Sequence, residues 1–169
     1  MLIANHGPGV LLSALLLTGV CSLAAEGNLA LGKKVEASSF ESERLKPENA
    51  VDGKRNTRWS ARFNDPQSFQ VDLGSPQKVN RIVITWGSSA ARDVEFLHSV
   101  DGSSWKAIPV DMEKRKFRPD GQGTDLLEFP AETIRYFRIN AKSRVTRSGC
   151  SIVELEIYAP SAAPENGKK

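Results

Sequence analysis

Asp52, Thr57 and Glu154 are the residues whose types and spacing could do chemistry together: two around an Asp-Gly turn, one near the far end of the chain. Carboxylates, hydroxyls and main-chain carbonyls are what a hard cation takes, about six to eight oxygens at a time. Glycine at position 53 would let carbonyls turn inward. The plainer possibility is an ordinary Asp-Gly turn, with Glu154 paired to an arginine such as Arg58. Groups for covalent or acid–base catalysis are scarce. His98 lies inside an apolar-alternating run, and no nucleophile motif accompanies it. There is no phosphate-cradling glycine loop and no zinc spacing. Paired acids for glycoside hydrolysis remain open, since any fold can juxtapose carboxylates. One small domain offers no obvious deep cleft for them, so the expectation is a protein that catalyses nothing.

The chain that must position these residues has 169 of them, 40% hydrophobic and 25% charged, which suits one soluble domain. Residues 10–20 form an apolar run too short to span a bilayer but right for the centre of an export signal. Ser22-Leu23-Ala24-Ala25 supplies the small residues for cleavage after Ala24 or Ala25. Residues 1–25 therefore read as a signal peptide and the protein as secreted or periplasmic. A buried N-terminal helix or a retained anchor is the alternative, because His6 is the only basic residue ahead of the run. Val20 stands before Cys21 where a lipoprotein needs a small residue. Export would leave Cys150 alone, unable to form an internal disulfide, and its place before an apolar strand marks it as a buried, inert thiol. A net charge of +3 with both signs interleaved gives no footing for nucleic acid.

Short runs of alternating or β-branched residues recur between turn signals: 35–39, 68–73, 80–86, 93–100, 105–110, 125–129, 136–141 and 151–158. Gly74-Ser75-Pro76 and Asp101-Gly102 are the clearest breaks. About eight antiparallel strands at this spacing predict an all-β sandwich or barrel over 26–159. The segment 112–123 reads as a long loop whose Lys114-Arg115-Lys116 and Arg118 form a solvated face. Residues 160–169 read as a disordered tail.

The elements arrive in an order that resembles the discoidin, or coagulation factor V/VIII type C, domains. Asn28-Leu29-Ala30-Leu31-Gly32 with Ala37-Ser38-Ser39 resembles their opening strand, and Ala50 to Trp59 their A-x-D-G-x-x-x-T-x-W segment. Phe69-Gln70-Val71-Asp72-Leu73-Gly74, Ser99-Val100-Asp101-Gly102-Ser103-Ser104-Trp105, Arg135-Tyr136-Phe137-Arg138-Ile139 and Ser151-Ile152-Val153-Glu154-Leu155 match four further motifs in sequence. Within the superfamily the chain looks most like bacterial family 32 carbohydrate-binding modules. The resemblance implies a jelly-roll sandwich of galactose-binding-like topology. It also implies a structural calcium ion held by the carboxylates of Asp52 and Glu154, the hydroxyl and carbonyl of Thr57, and the carbonyls of Asn49, Lys54 and Val153. Trp59, Trp86 and Trp105 fall at packing positions.

In such domains the ligand sits on loops at one end, where sugar C–H faces stack on aromatic rings and hydroxyls take directional hydrogen bonds. The corresponding residues here are Glu41, Arg62, Phe63, Arg92, Arg147 and Ser148. Relatives often carry an exposed tyrosine where this chain has Ser148, so Phe40 or Phe63 must supply the ring. Arg62, Arg92, Arg144 and Arg147 could crowd the same end and favour an anionic glycan, unless they are solvated or internally paired. The expected partner is thus a glycan or polysaccharide, bound by a monomer acting alone or beside a separately encoded glycoside hydrolase. The rival readings are a module for protein or phospholipid head groups and a structural domain with an eroded site. Membrane insertion has thin support, since only Phe40, Leu45 and Phe63 offer apolar loop tips.

Overall fold

The computed structural model describes residues 27–161 apart from 112, 114 and 116. The export signal and most of the expected tail lie outside the described residues. Among those described, no helix is long and apolar enough to cross a membrane.

Seven antiparallel strands carry the fold: β1 (Lys34–Ala37), β2 (Trp59–Ser60), β3 (Gln67–Trp86), β4 (Ala91–Ser99), β5 (Lys106–Ala107), β6 (Gly123–Arg144) and β7 (Ser151–Tyr158). They bond in the order β2-β7-β3-β6-β4-β5, with β1 added on β3. The all-β expectation holds, but the strand count differs for a physical reason. Residues 68–73 and 80–86 belong to one strand, as do 125–129 and 136–141. Gly74-Ser75-Pro76 does not reverse the chain; it bends it, and the β3–β6 register breaks between Asp72 and Gln77.

That bend makes two layers from one hydrogen-bonded network. The first half of β3 pairs with β1 and with the second half of β6, which also carries β4. The second half of β3 pairs with the first half of β6 and with β7, which carries β2. The side chains facing inward come from alternate positions, as a pleated strand with one covered face requires. Phe69, Val71, Phe96, Phe137 and Ile139 from one layer meet Ile82, Ile84, Ile152, Leu155 and Ile157 from the other, all buried. Each such side chain contributes roughly 1.5–3 kcal/mol by leaving water. Trp59 and Trp86 join this core, with the Trp59 ring 5.0 Å from that of Phe69. Trp105 instead packs on the outer face, where its indole N–H donates to the Gly102 carbonyl (3.1 Å) and the Arg138 guanidinium covers its ring.

Arg115 departs from the expected solvated basic face, while Arg118 is exposed as expected and Lys114 and Lys116 lie outside the described residues. Arg115 is buried, with its side chain and that of Asp125 each 4% exposed. Its Nε and Nη2 reach the Asp125 carboxylate at 2.7–3.1 Å, while Nη1 and Nη2 also donate to the carbonyls of Arg92 and Ala91. Trp86 Nε1 gives the same carboxylate another hydrogen bond at 2.8 Å. A buried ion pair is tolerable when its remaining donors and lone pairs are bonded in this way. Charge runs in sequence do not reveal such pairs, because the partner lies on another strand.

The bend in β3 has its own clamp. Asp72 accepts the Gly74 amide (2.8 Å) and takes Nε and Nη2 of Arg135 at 2.9 and 3.0 Å. Arg135 beside it, joined by the Gly74 amide, holds the Asp72 carboxyl below the usual carboxylate range. A depressed folded-state value stabilises the fold above the unfolded value near 3.8, and that contribution disappears as pH falls through the lower, folded value. Asp72→Asn should therefore lower stability at neutral pH and flatten the loss of stability on acidification below about pH 4. Urea unfolding midpoints across that range, compared with the parent chain, would show it; parallel pH curves would refute the clamp.

Candidate functional site

Two clusters sit close together where β2 and β7 begin their pairing. The first is an oxygen-lined cradle. A five-residue 3₁₀ helix, Pro47–Val51, starts on proline, buries Ala50 and Val51, and delivers Asp52 at its end. Gly53 follows with φ +75°, a conformation that a side chain would strain. Asp52 Oδ1 accepts the Lys54 amide at 2.9 Å. Thr57 Oγ1 lies 2.9 and 3.0 Å from the two Asp52 oxygens and 3.2 Å from the Lys54 carbonyl. A hydroxyl has one proton, so these three contacts cannot all be hydrogen bonds at once. Oxygens outnumber protons here.

Glu154 completes the cradle from β7. Thr85 pairs with Glu154 but Trp86 pairs with Ile152, so Val153 is the extra residue of a β-bulge. A bulge re-aims the side chains around it. Leu155 and Ile157 return to the core, while Glu154 points the other way and is buried beneath the 52–57 loop. Its Oε1 accepts the Gly53 amide at 3.3 Å, and its Oε2 is buried with no hydrogen-bond partner. The carboxyl is pushed up to about 7, chiefly by burial; the Gly53 amide works against this and the charge of Asp52 adds to it. The alternative in which Glu154 pairs with Arg58 is therefore incorrect. Of the residues expected at the cradle, Asp52, Lys54 and Thr57 contact one another and Glu154 reaches the Gly53 amide, while Val153 is the bulge residue next to Glu154. Asn49, expected to offer its carbonyl, uses its side chain to bridge the carbonyls of Arg44 (2.8 Å) and Arg58 (3.0 Å), which closes the loop. Among the described residues no group of three or more His, Cys, Asp or Glu meets. A cation here would draw on two carboxylates, with Thr57 and carbonyls supplying the rest, and this all-oxygen set fits calcium.

The second cluster is the loop end itself. Glu41 donates its amide to the Ser60 carbonyl (2.9 Å) and accepts from Ser60 Oγ (3.3 Å). The Arg62 amide donates to Ser39 Oγ (3.1 Å), and the Ala61 amide to the Cys150 carbonyl (2.8 Å). Glu41, Arg62 and Phe63 are thereby joined to the β6–β7 loop that holds Arg147 and Ser148. Arg92 reaches the same loop, donating from Nη2 to the Val145 carbonyl (3.2 Å). Thr146 ties it to Ser88 and Ser89. All six expected ligand residues thus gather at one end, and all six are exposed. Phe63 is 59% exposed and Phe40 37%, an unusual display for phenylalanine beside polar loops.

The arginines divide. Arg62, Arg92 and Arg147 have no carboxylate at ion-pair distance among the described residues. Arg144 lies deeper, its Nε 3.7 Å from Asp65 Oδ2 and its Nη1 buried without a partner. A buried donor left unpaired costs about 1–3 kcal/mol. Cys150 beneath is buried and its thiol is pushed up to about 12 by that burial, as an inert thiol should be. His98 is buried on β4 with Nδ1 unpartnered, and burial lowers its basicity.

Fold and site together define a β-sandwich with an oxygen-lined cradle supporting one loop-built end. The chain belongs to the F5/8 type C domain family, whose profile matches residues 34–155. It is similar to chitosan-binding module 1 of a chitosanase/glucanase from Paenibacillus sp. IK-5, with 34% identity, 79% of this chain and 99% of that one covered, and a TM-score of 0.70. Module 2 of the same enzyme, solved with chitotriose, is 30% identical over 78% of this chain and all of that one, with a TM-score of 0.69. The family 32 module of NanJ from Clostridium perfringens, solved with galactose, shares the fold at 24% identity, 75% and 93% coverage and a TM-score of 0.62. A polysaccharide lyase 8 family protein from Enterococcus faecalis is 28% identical over 120 residues, 70% of this chain but 9% of that protein.

One residue holds the two halves of the loop end together. A Cβ on Gly149 would lie 1.9 Å from the Ala61 carbonyl oxygen, far inside contact distance. Gly149→Ala should force the Ser60–Phe63 and Arg147–Ser148 segments apart and cost roughly 1–3 kcal/mol, the usual range for overpacking. Ser148→Ala, at an exposed neighbour, should leave the urea midpoint almost unmoved. Equal midpoints for the two variants would show that the contact is not needed.

Proposed function

We propose that this chain is a non-catalytic, exported glycan-binding module whose ligand seats on the loop end and whose loops are steadied by calcium. The observation that carries this reading is the convergence of Glu41, Arg62, Phe63, Arg92, Arg147 and Ser148 at one end of the sandwich, with the Phe63 ring open to solvent. A ring of that kind offers a stacking face for sugar C–H groups, and the polar neighbours offer directional hydrogen bonds. The sequence kinship with a chitosan-binding module supports a carbohydrate rather than a protein or lipid ligand. Binding by the intact chain on an array of immobilised glycans, in calcium-containing buffer, tests it. Retention of at least one glycan class, weakened several-fold by Phe63→Ala, is expected. No glycan bound, with sedimentation on phosphatidylserine vesicles instead, would replace this reading with a lipid-binding one.

Calcium in the cradle would neutralise the facing carboxylates of Asp52 and Glu154 and give the orphaned Glu154 oxygen a partner. It would tie the 52–57 loop to β7, and this loop leads through β2 directly into Arg62 and Phe63. An ion bound only by the folded state stabilises it by about 2.7 kcal/mol at a hundredfold excess over its Kd. EDTA should therefore lower the melting temperature and added calcium restore it, whereas Asp52→Ala should abolish the response. A melting curve indifferent to both reagents would remove calcium from the proposal and leave the glycan site standing.

A further inference from the structure

We infer that the loop end selects acidic saccharides, those carrying uronate or sulfate groups, an assignment that rests on the glycan-binding reading above. Three exposed guanidinium groups, on Arg62, Arg92 and Arg147, stand on segments held together by the Ala61–Cys150 and Arg92–Val145 hydrogen bonds. None has a carboxylate at ion-pair distance among the described residues. The acids nearby do not cover them: Asp65 pairs with Arg144 and Asp120 with Arg118, and Asp93 forms no ion pair with Arg92 among the described residues. Glu41, also at the rim, accepts a hydrogen bond from Ser60. From beneath, Arg144 adds a guanidinium whose Nη1 meets no acceptor in the protein. Three guanidinium groups at this end are thus left without a partner carboxylate among the described residues.

The chemistry of these groups narrows the ligand. A guanidinium presents a planar fork that matches the two oxygens of a carboxylate or sulfate, and such charge-assisted pairs are stronger than hydrogen bonds to neutral hydroxyls. Phe63, next to Arg62, supplies a face for the sugar ring beside the acidic group. An aminosugar polymer such as chitosan would instead bring ammonium groups against these arginines.

Affinity electrophoresis of the intact chain in calcium-containing gels tests the assignment, with polygalacturonate, chondroitin sulfate, dextran, chitosan and poly-glutamate as probes. Retention by polygalacturonate or chondroitin sulfate is expected, weakening as salt rises, with dextran and chitosan inert. The Arg62→Ala/Arg147→Ala double variant should bind the acidic polymers at least tenfold more weakly while keeping the parent melting temperature. Equal retention by dextran, or a preference for chitosan, would overturn the acidic assignment and leave glycan binding intact. Equal retention by poly-glutamate would overturn it as charge attraction without sugar recognition, and a double variant that binds normally would overturn the placement. No retention by any polysaccharide would remove the glycan reading itself.

Discussion

β3 and β6 pair along almost their whole lengths; β1, β4 and β7 attach to that bent ribbon, and β2 and β5 follow on β7 and β4. Because both strands cross from one layer to the other, the sandwich needs no separate connection between its sheets. The bend is where an antiparallel pair would otherwise continue flat, so it must be held. Asp72 does this from the middle of β3, bound to the Gly74 amide and to Arg135 on β6. The core then follows from alternation on either side of the bend, with large apolar side chains facing one another across the layers.

The loop end inherits its shape from the same ribbon. β3 begins there, β4 begins there, β6 ends there, and β2 and β7 meet one register step away. Loops from five strands therefore open on one surface. Their mutual positions are set by main-chain hydrogen bonds and by the close approach of Gly149 to Ala61, not by the side chains left exposed for a ligand. This separation of duties explains how relatives on one scaffold can take different ligands, since exposed residues can vary without loosening the frame.

Buried polar groups mark the places where the scaffold carries strain or unmet demand. Arg115 and Asp125 satisfy each other and draw in Trp86, so Arg115 is anchored to β6 and β3. Glu154 and Arg144 are different, each keeping one buried polar atom without a partner. The first lies in a cradle rich in oxygens, the second beneath a rim rich in guanidinium groups. Both sit next to the elements that shape the ligand end, and both have chemistry that a bound ion or group could complete.

Residue order alone determined the all-β class, the turn at Asp101-Gly102, and the packing roles of Trp59 and Trp86, while the grouping of Asp52 and Thr57 with Glu154 came from the family resemblance. These were legible because alternation, turn chemistry and short motifs are local properties of the chain. Pairing across the fold is not local, and there the structure decided. It merged four expected strands into two, since a Gly-Ser-Pro segment reads the same whether the backbone reverses or bends. It buried Arg115 out of a run that looked solvated, because its acid stands on β6. It set Glu154 under the 52–57 loop rather than in a pair with Arg58, beside a bulge at Val153 that no residue type announces. And it divided the loop arginines into one paired from beneath and three left open, a distinction that depends on which carboxylates the folded chain brings within reach.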